Sequence, residues 1–287
     1  MLDSSLRFAP PPRPVPFSLS ILTSLNAIAQ VGFAVLAFSS IFFWVFAANA
    51  DFSFLTFKAA HGRATGTVTR VVDTSASQNR STIHANHYEY SVAGKTLEGV
   101  SYSNGAGDVQ QGDRVLVEYF EDHPLVSRIA GQRRKMFGAG AAFVVIFPLV
   151  GLGFIWGGVR RGNRRARLLR EGVCTTGVLK AKRPTNTTVN NRRVYELDFE
   201  FTARDGRRCI ATARTSITER LTDEREEPLL YNPENPDDAV MLDEAPSRPR
   251  FNEGGMLMGR PVAALFAMFL PALVIVVNTL VLLVKLG

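Results

Sequence analysis

MFGAGAAFVVIFPLVGLGFIWGGV, residues 136–159, runs for 24 residues between Lys135 and Arg160 without a charged side chain. About 20 apolar residues at a 1.5 Å rise cross a hydrocarbon core of about 30 Å, so the stretch is long enough to span a bilayer. The competing reading is a helix buried in a soluble core. Such helices seldom run this long without one charge.

The same signal recurs on both sides. Residues 261–284, between Arg260 and Lys285, are again 24 uncharged residues, and residues 14–50 lie uncharged between Arg13 and Asp51. Ser18, Ser20, Thr23, Ser24, Asn26 and Gln30 dilute the opening of that first stretch. The spans are therefore expected at 25–47, 136–159 and 262–284. Ala48-Asn49-Ala50 has the small-residue pattern of a signal-peptidase site. The apolar run is longer than the usual 7–15 residues, however, and no Lys or Arg closely precedes it, so an uncleaved anchor is expected. Residues 1–20, with Pro10, Pro11, Pro12, Pro14 and Pro16, read as an extended, unstructured tail.

Much of the net charge of +7 sits beside the spans. Arg133, Arg134 and Lys135 precede the second. Arg160, Arg161, Arg164, Arg165, Arg167 and Arg170 follow it and are assigned to lipid headgroups and topology. No aromatic platform accompanies them, which argues against nucleic acid. Arg7, Arg13, Arg248, Arg250 and Arg260 add to one side, whereas Lys58, Arg63, Arg128 and Lys285 fall on the other. The excess favours an inside amino terminus and second lobe, with the first lobe outside. Cys174 and Cys209, 35 residues apart, are free thiols in a reducing compartment and a possible pair in an oxidising one.

Two β-rich lobes separate the spans, at 51–132 and 160–260. In the first, 64–72 is rich in β-branched residues, 87–92 alternates aromatic and polar side chains, and Val115, Val117 and Tyr119 share a face. A small antiparallel barrel or sandwich is expected. The second lobe repeats this order. Thr175-Thr176-Gly177-Val178 stands for Thr65-Gly66-Thr67-Val68, 196–201 repeats the alternation, and the Tyr231–Pro236 stretch matches Tyr119–Pro124, at offsets of roughly 109–112 residues. A divergent duplication accounts for this. With one span between them, the copies are expected on opposite sides of the membrane.

Gly66-Thr67-Val68, Tyr88 to Val92, Gly112-Asp113 and Tyr231 to Pro236 together resemble a bacterial membrane family catalogued as domain of unknown function 3592. The resemblance covers both lobes, although the first departs at its last element and the second lacks the Gly-Asp. It implies β-rich domains on a membrane anchor and brings no assigned chemistry, cofactor or site residue.

No catalytic motif stands up on its own. His87 and Glu89, two apart on a strand, could converge on an ion, with His84 nearby, but isolated histidines are usually solvated. Gly99-Val100-Ser101-Tyr102-Ser103 lacks the closing glycine of a nucleophile elbow. Gly105-Ala106-Gly107-Asp108 has no phosphate-loop pattern. Glu224, Glu226 and Glu227 read as a solvated turn. Asn79-Arg80-Ser81 and Asn186-Thr187-Thr188 are glycosylation sequons only in a glycosylating host.

Within the spans, Asn26, Gln30 and Asn278 are the main polar side chains. Without an intramembrane charge, a stand-alone ion pump is disfavoured. Gly153 and Gly157 form a GxxxG, and Ala263 with Ala267 a small-xxx-small pair, both suited to helix packing within the chain or to self-association. Pro148 and Pro271 are expected to kink their helices. Three roles follow, in order. The first is a non-enzymatic membrane-anchored interaction or scaffold protein. The second is an accessory subunit of a transporter or envelope complex that binds through its spans. The last, far behind, is a metal-dependent enzyme in lobe one.

Overall fold

The computed structural model describes residues 9–57, 62–78, 80–105, 109–189, 191–223, 225–244 and 249–286. Arg7, Lys58, Asn79, residues 106–108, Glu224 and Arg248 lie outside them. In chain order the elements are α1 (Phe17–Ser24), α2 (Ala27–Val45), β1 (Ala50–Asp51), α3 (Ser53–Thr56), β2 (Gly62–Gln78), β3 (Ser81–Val92), β4 (Lys95–Ser103), β5 (Arg114–Tyr119), β6 (Ser127–Ile129), β7 (Phe137–Gly138), α4 (Ile146–Glu171), β8 (Val173–Val189), β9 (Arg192–Thr202), β10 (Arg208–Thr215), β11 (Glu227–Asn232), β12 (Asn235–Met241) and α5 (Pro261–Leu286).

Three helical stretches, Ala27–Asn49, Ala139–Glu171 and Pro261–Leu286, are long and apolar enough to cross a membrane. The middle one begins as a 3-10 helix over Ala139–Val145. Pro148 falls in the first turn of α4, directly after that 3-10 segment, where a proline is tolerated better than in a helix interior. Pro271 sits inside α5 and leaves a carbonyl one turn back without its usual donor.

The chain forms two compact units, Ala37–Leu149 and the remainder. The first holds an antiparallel sheet of order β4-β3-β2-β5-β6. Its axis is the long strand β2, which pairs with β5 through its first residues and with β3 from Gly66 onward. Gly66 allows that exchange: a Cβ there would stand 2.8 Å from Glu89 O and 2.7 Å from a methyl of Val117. Val68, Tyr88, Tyr90, Val115, Val117 and Ile129 fill the concave face. Each such side chain contributes roughly 1.5–3 kcal/mol by leaving water. Asp51 holds the ends of this unit together, accepting from Ser53 N at 2.8 Å and Arg134 N at 3.0 Å beside the parallel β1–β7 pair.

The second unit holds a sheet of order β10-β9-β8-β11-β12. Leu197, Phe199, Phe201, Leu229, Tyr231 and Met241 are its core. The edge strands β10 and β12 come together across that core through Ala211, Ala213, Ala239 and Met241 without pairing. Neither sheet is therefore a closed barrel. Each is a strongly curled, open five-stranded sheet, which corrects the barrel expectation: its outer strands meet through side chains, and the backbone ladder stops at both edges.

The two sheets share details beyond strand order. β2 and β8 have the same length of 17 residues. In each, the pairing with the next strand shifts register twice, between Val68/Arg70 and Asp73/Ser77 in one and between Leu179/Ala181 and Pro184/Thr188 in the other. Both shifts are displaced by 111 positions (179 − 68, 184 − 73). The hairpin residues with positive φ, Arg80 at 68° and Asn191 at 59°, are 111 positions apart as well.

Other boundaries differ from the sequence reading. The expected loose tail is fixed from Ala9 on: Ala9 N donates to Gly255 O at 3.1 Å, Arg13 N donates to Arg170 O at 2.7 Å, and α1 begins at Phe17. The second lobe was expected from residue 160, but α4 continues to Glu171, with no proline in 160–171 to end it. Glu227, expected in a solvated turn, is 2% exposed at the start of β11, whereas Glu226 accepts from Thr176 Oγ1 at 2.8 Å.

Candidate functional site

The most specific arrangement is a junction of α1, α5 and the parts of α2 and α4 that belong to the second unit, up to Leu36 and from Val150. Antiparallel α2 and α4 touch backbone to backbone. A Cβ on Gly32 would lie 2.6 Å from Ile155 N, one on Gly151 3.0 Å from Leu36 N, one on Gly158 2.5 Å from Ala29 N, and one on Gly162 would overlap Thr23 O. Small residues permit this approach, as in membrane helix pairs generally. The glycines singled out from the sequence are not these. Gly153 and Gly157 meet nothing within 4 Å among the described residues, because they lie on the face of α4 turned away from α2. The contact stripe instead follows Gly151, Gly158 and Gly162, spaced seven and four apart.

The three main polar side chains of the spans each have a partner. Asn26 Oδ1 accepts from Ile28 N at 3.1 Å and Ala29 N at 3.3 Å, capping α2, while its Nδ2 donates to Gly158 O at 2.6 Å. Asn278 Nδ2 turns back on Val274 O at 2.8 Å. Gln30 Nε2 donates to Ala267 O at 2.7 Å. Ala267 is four residues before Pro271, so its carbonyl is the one the proline deprives of an amide. Gln30 therefore completes the hydrogen bonding of α5 from the neighbouring helix. Ala267 acts through its backbone. Ala263, its partner in the small-residue pattern, lines a pocket.

The carboxyl end of α4 is gripped by Arg13. The residue is 3% exposed, and its guanidinium donates to Leu169 O at 2.9 Å and Gly172 O at 2.8 Å, where the helix dipole is negative. Burial lowers the pKa of Arg13 and pushes the Cys174 thiol up to about 11, the arginine partly offsetting that rise. Both cysteines are free thiols.

The six arginines assigned to headgroups divide. Arg164 pairs with Asp238 on β12, and Arg167 NH2 lies 2.6 Å from the same carboxylate. These two therefore tie α4 to the sheet, a role invisible without the fold because Asp238 is more than 70 residues away. Arg160 stacks over Trp156 at 5.4 Å, and Arg161 and Arg170 are exposed. Arg165 is half-buried and already engaged within the protein.

No group of three or more His, Cys, Asp or Glu that could hold a metal occurs among the described residues. His84 Nδ1 lies 2.7 Å from Asp73, and His87 Nε2 lies 3.2 Å from the guanidinium of Arg70. Burial, then Arg70, lowers the pKa of His87. A cation already stands where His87 would bind one.

No family model matches the chain. No curated protein and no solved structure matches it either.

Proposed function

We propose that this chain is a non-enzymatic, membrane-anchored interaction protein that carries one sheet lobe on each side of a bilayer. The three apolar helices support the anchor. Phe266 is 77% and Val284 82% exposed, a surface that suits lipid far better than water. Counting supports the opposed lobes, since among the described residues the one candidate span between the two sheet-forming stretches is the one that contains α4. The shared strand order, register shifts and hairpin geometry support an internal duplication and fit the likeness to domain of unknown function 3592. The flanking arginines favour a second lobe on the inside, and the likeness to a bacterial membrane family favours an inner membrane.

The observation that carries the binding role is the open edge at β10. This strand pairs only with β9 among the described residues and holds Ile210 57% exposed. Its other edge meets β12 only through side chains, so its backbone ladder is unpaired there, and its outer face presents Ile210 to a partner. The corresponding edge of the other sheet is partly closed, because Tyr102 on β4 exchanges backbone hydrogen bonds with Arg133. A photo-crosslinking side chain at position 210 should capture a partner in native membranes, and Ile210→Lys should abolish co-purification without lowering the melting temperature. Equal capture from position 116, on the inner strand β5, would contradict an edge-directed role.

A second reading is favoured by one observation. Gly153 and Gly157 face open space within the chain, which leaves a close-contact face on α4 for another membrane protein or a second copy. If the chain is an accessory subunit of a transporter or envelope complex, Gly153→Leu with Gly157→Leu disrupts the assembly and Ile210→Lys does not.

A further inference from the structure

A pocket of 280 Å³ opens in the second unit where α1, α2, α4, α5 and β12 converge. Leu19, Leu25, Leu169 and Val240 contribute apolar walls, and Arg165 and Arg260 also line it. The pocket sits at a definite depth along the helices. Leu25 just precedes α2, and Arg260 just precedes the first residue of α5. Arg165 lies six residues past Val159, the last residue of the uncharged stretch, or about 9 Å along the helix. That is the level at which a bilayer changes from hydrocarbon to headgroup, a layer of roughly 5–8 Å on each side.

We propose that this pocket binds the phosphate and glycerol backbone of an anionic phospholipid, with the acyl chains leaving along the exposed faces of the spans. Charge and shape select this occupant. The Arg260 guanidinium supplies forked donors suited to phosphate, the Arg165 charge adds to the field, and the start of α5 adds the positive end of a helix dipole. The leucine walls exclude a ligand that is polar throughout. The volume is near the lower end of about 300–1,000 Å³ for ligand pockets, which suits a headgroup and chain roots rather than a whole lipid. Arg165, held within the protein, contributes field and shape. Arg260 is half-buried, its backbone N–H donating to Ser18 Oγ at 2.9 Å, which fixes where its side chain starts.

The proposal rests on the membrane reading and is tested separately from it. Full-length protein is purified in mild detergent and analysed by native mass spectrometry with added phosphatidylglycerol, phosphatidylcholine or glycerol 3-phosphate. One phosphatidylglycerol per chain should be retained, with weaker retention of the choline lipid and of the chain-less phosphate. Arg260→Gln should weaken phosphatidylglycerol binding about tenfold, as expected for one lost charge-assisted contact. Ala263→Phe, which fills the pocket without removing charge, should do the same. Arg161→Gln, outside the pocket, should not. Equal loss in the Arg161 and Arg260 variants, no discrimination between the lipids, or equal binding of glycerol 3-phosphate would overturn the pocket and leave the anchor standing. Release of the chain from membranes by alkaline carbonate would overturn both.

Discussion

Gln30 and Pro271 should behave as one thermodynamic unit. Replacing Gln30 by Leu keeps α2 apolar and helical but removes the donor 2.7 Å from Ala267 O. That carbonyl has no helical amide because residue 271 is proline. An unsatisfied polar group costs about 1–3 kcal/mol. Measured interhelical hydrogen bonds in membranes average about 0.6 and reach about 1.7 kcal/mol, because the dissociated state also finds partners. The expected cost of Gln30→Leu is therefore about 1–1.5 kcal/mol. In a Pro271→Ala background the new amide reaches Ala267 O within α5, and the same substitution should cost under about 0.5 kcal/mol. The assay is reversible unfolding in mixed micelles, comparing Gln30→Leu in both backgrounds as a double-mutant cycle. A coupling of about 1 kcal/mol supports the reasoning. Equal costs in the two backgrounds would refute it, since Gln30 would then act through something other than the proline-freed carbonyl.

Gly158→Ala should destabilise the protein by about 1–3 kcal/mol, because its Cβ would stand 2.5 Å from backbone nitrogen of Ala29, whereas Gly153→Ala, in open space, should be neutral or stabilising in the same micelle assay. Arg13→Met should cost about 2–3 kcal/mol by uncapping Leu169 O and Gly172 O, measured as a lower unfolding midpoint with the carboxyl end of α4 exchanging amide protons faster. Cys174 should react slowly with maleimide at pH 8 and quickly once unfolded. Its folded pKa of about 11 lies above the ordinary 9.0, so its stabilising contribution is complete below about pH 9 and is lost as pH rises toward 11.

The helices were legible because hydrocarbon imposes a length and excludes charge, and both can be counted along a chain. The strands of both lobes were legible from alternation, and the offset of about 111 residues survived into matching register shifts. Closure was not legible. Whether β10 pairs with β12 depends on sheet curl, which no local pattern encodes. Which face of α4 packs within the chain was not legible for a related reason. GxxxG spacing identifies a small-residue face, but which face meets α2 is set by where Asn26 and Thr23 lie, and Gly151, Gly158 and Gly162 form a stripe only after that docking. Arg13 looked like one charge in a proline-rich tail, and its role on α4 joins residues 156 positions apart. The pairing of Gln30 with the carbonyl before Pro271 could have been sought, since a proline inside a span needs a neighbouring donor. The sequence did not say which of the three polar side chains would supply it.

The most direct test of the account is side-specific labelling. Single cysteines at Asn104 in the first lobe and Asn191 in the second, in a chain lacking Cys174 and Cys209, are treated with an impermeant maleimide on intact cells and again after permeabilisation. A membrane-anchored protein with opposed lobes should label at 104 from outside and at 191 only after permeabilisation. Labelling of both positions from the same side would contradict it.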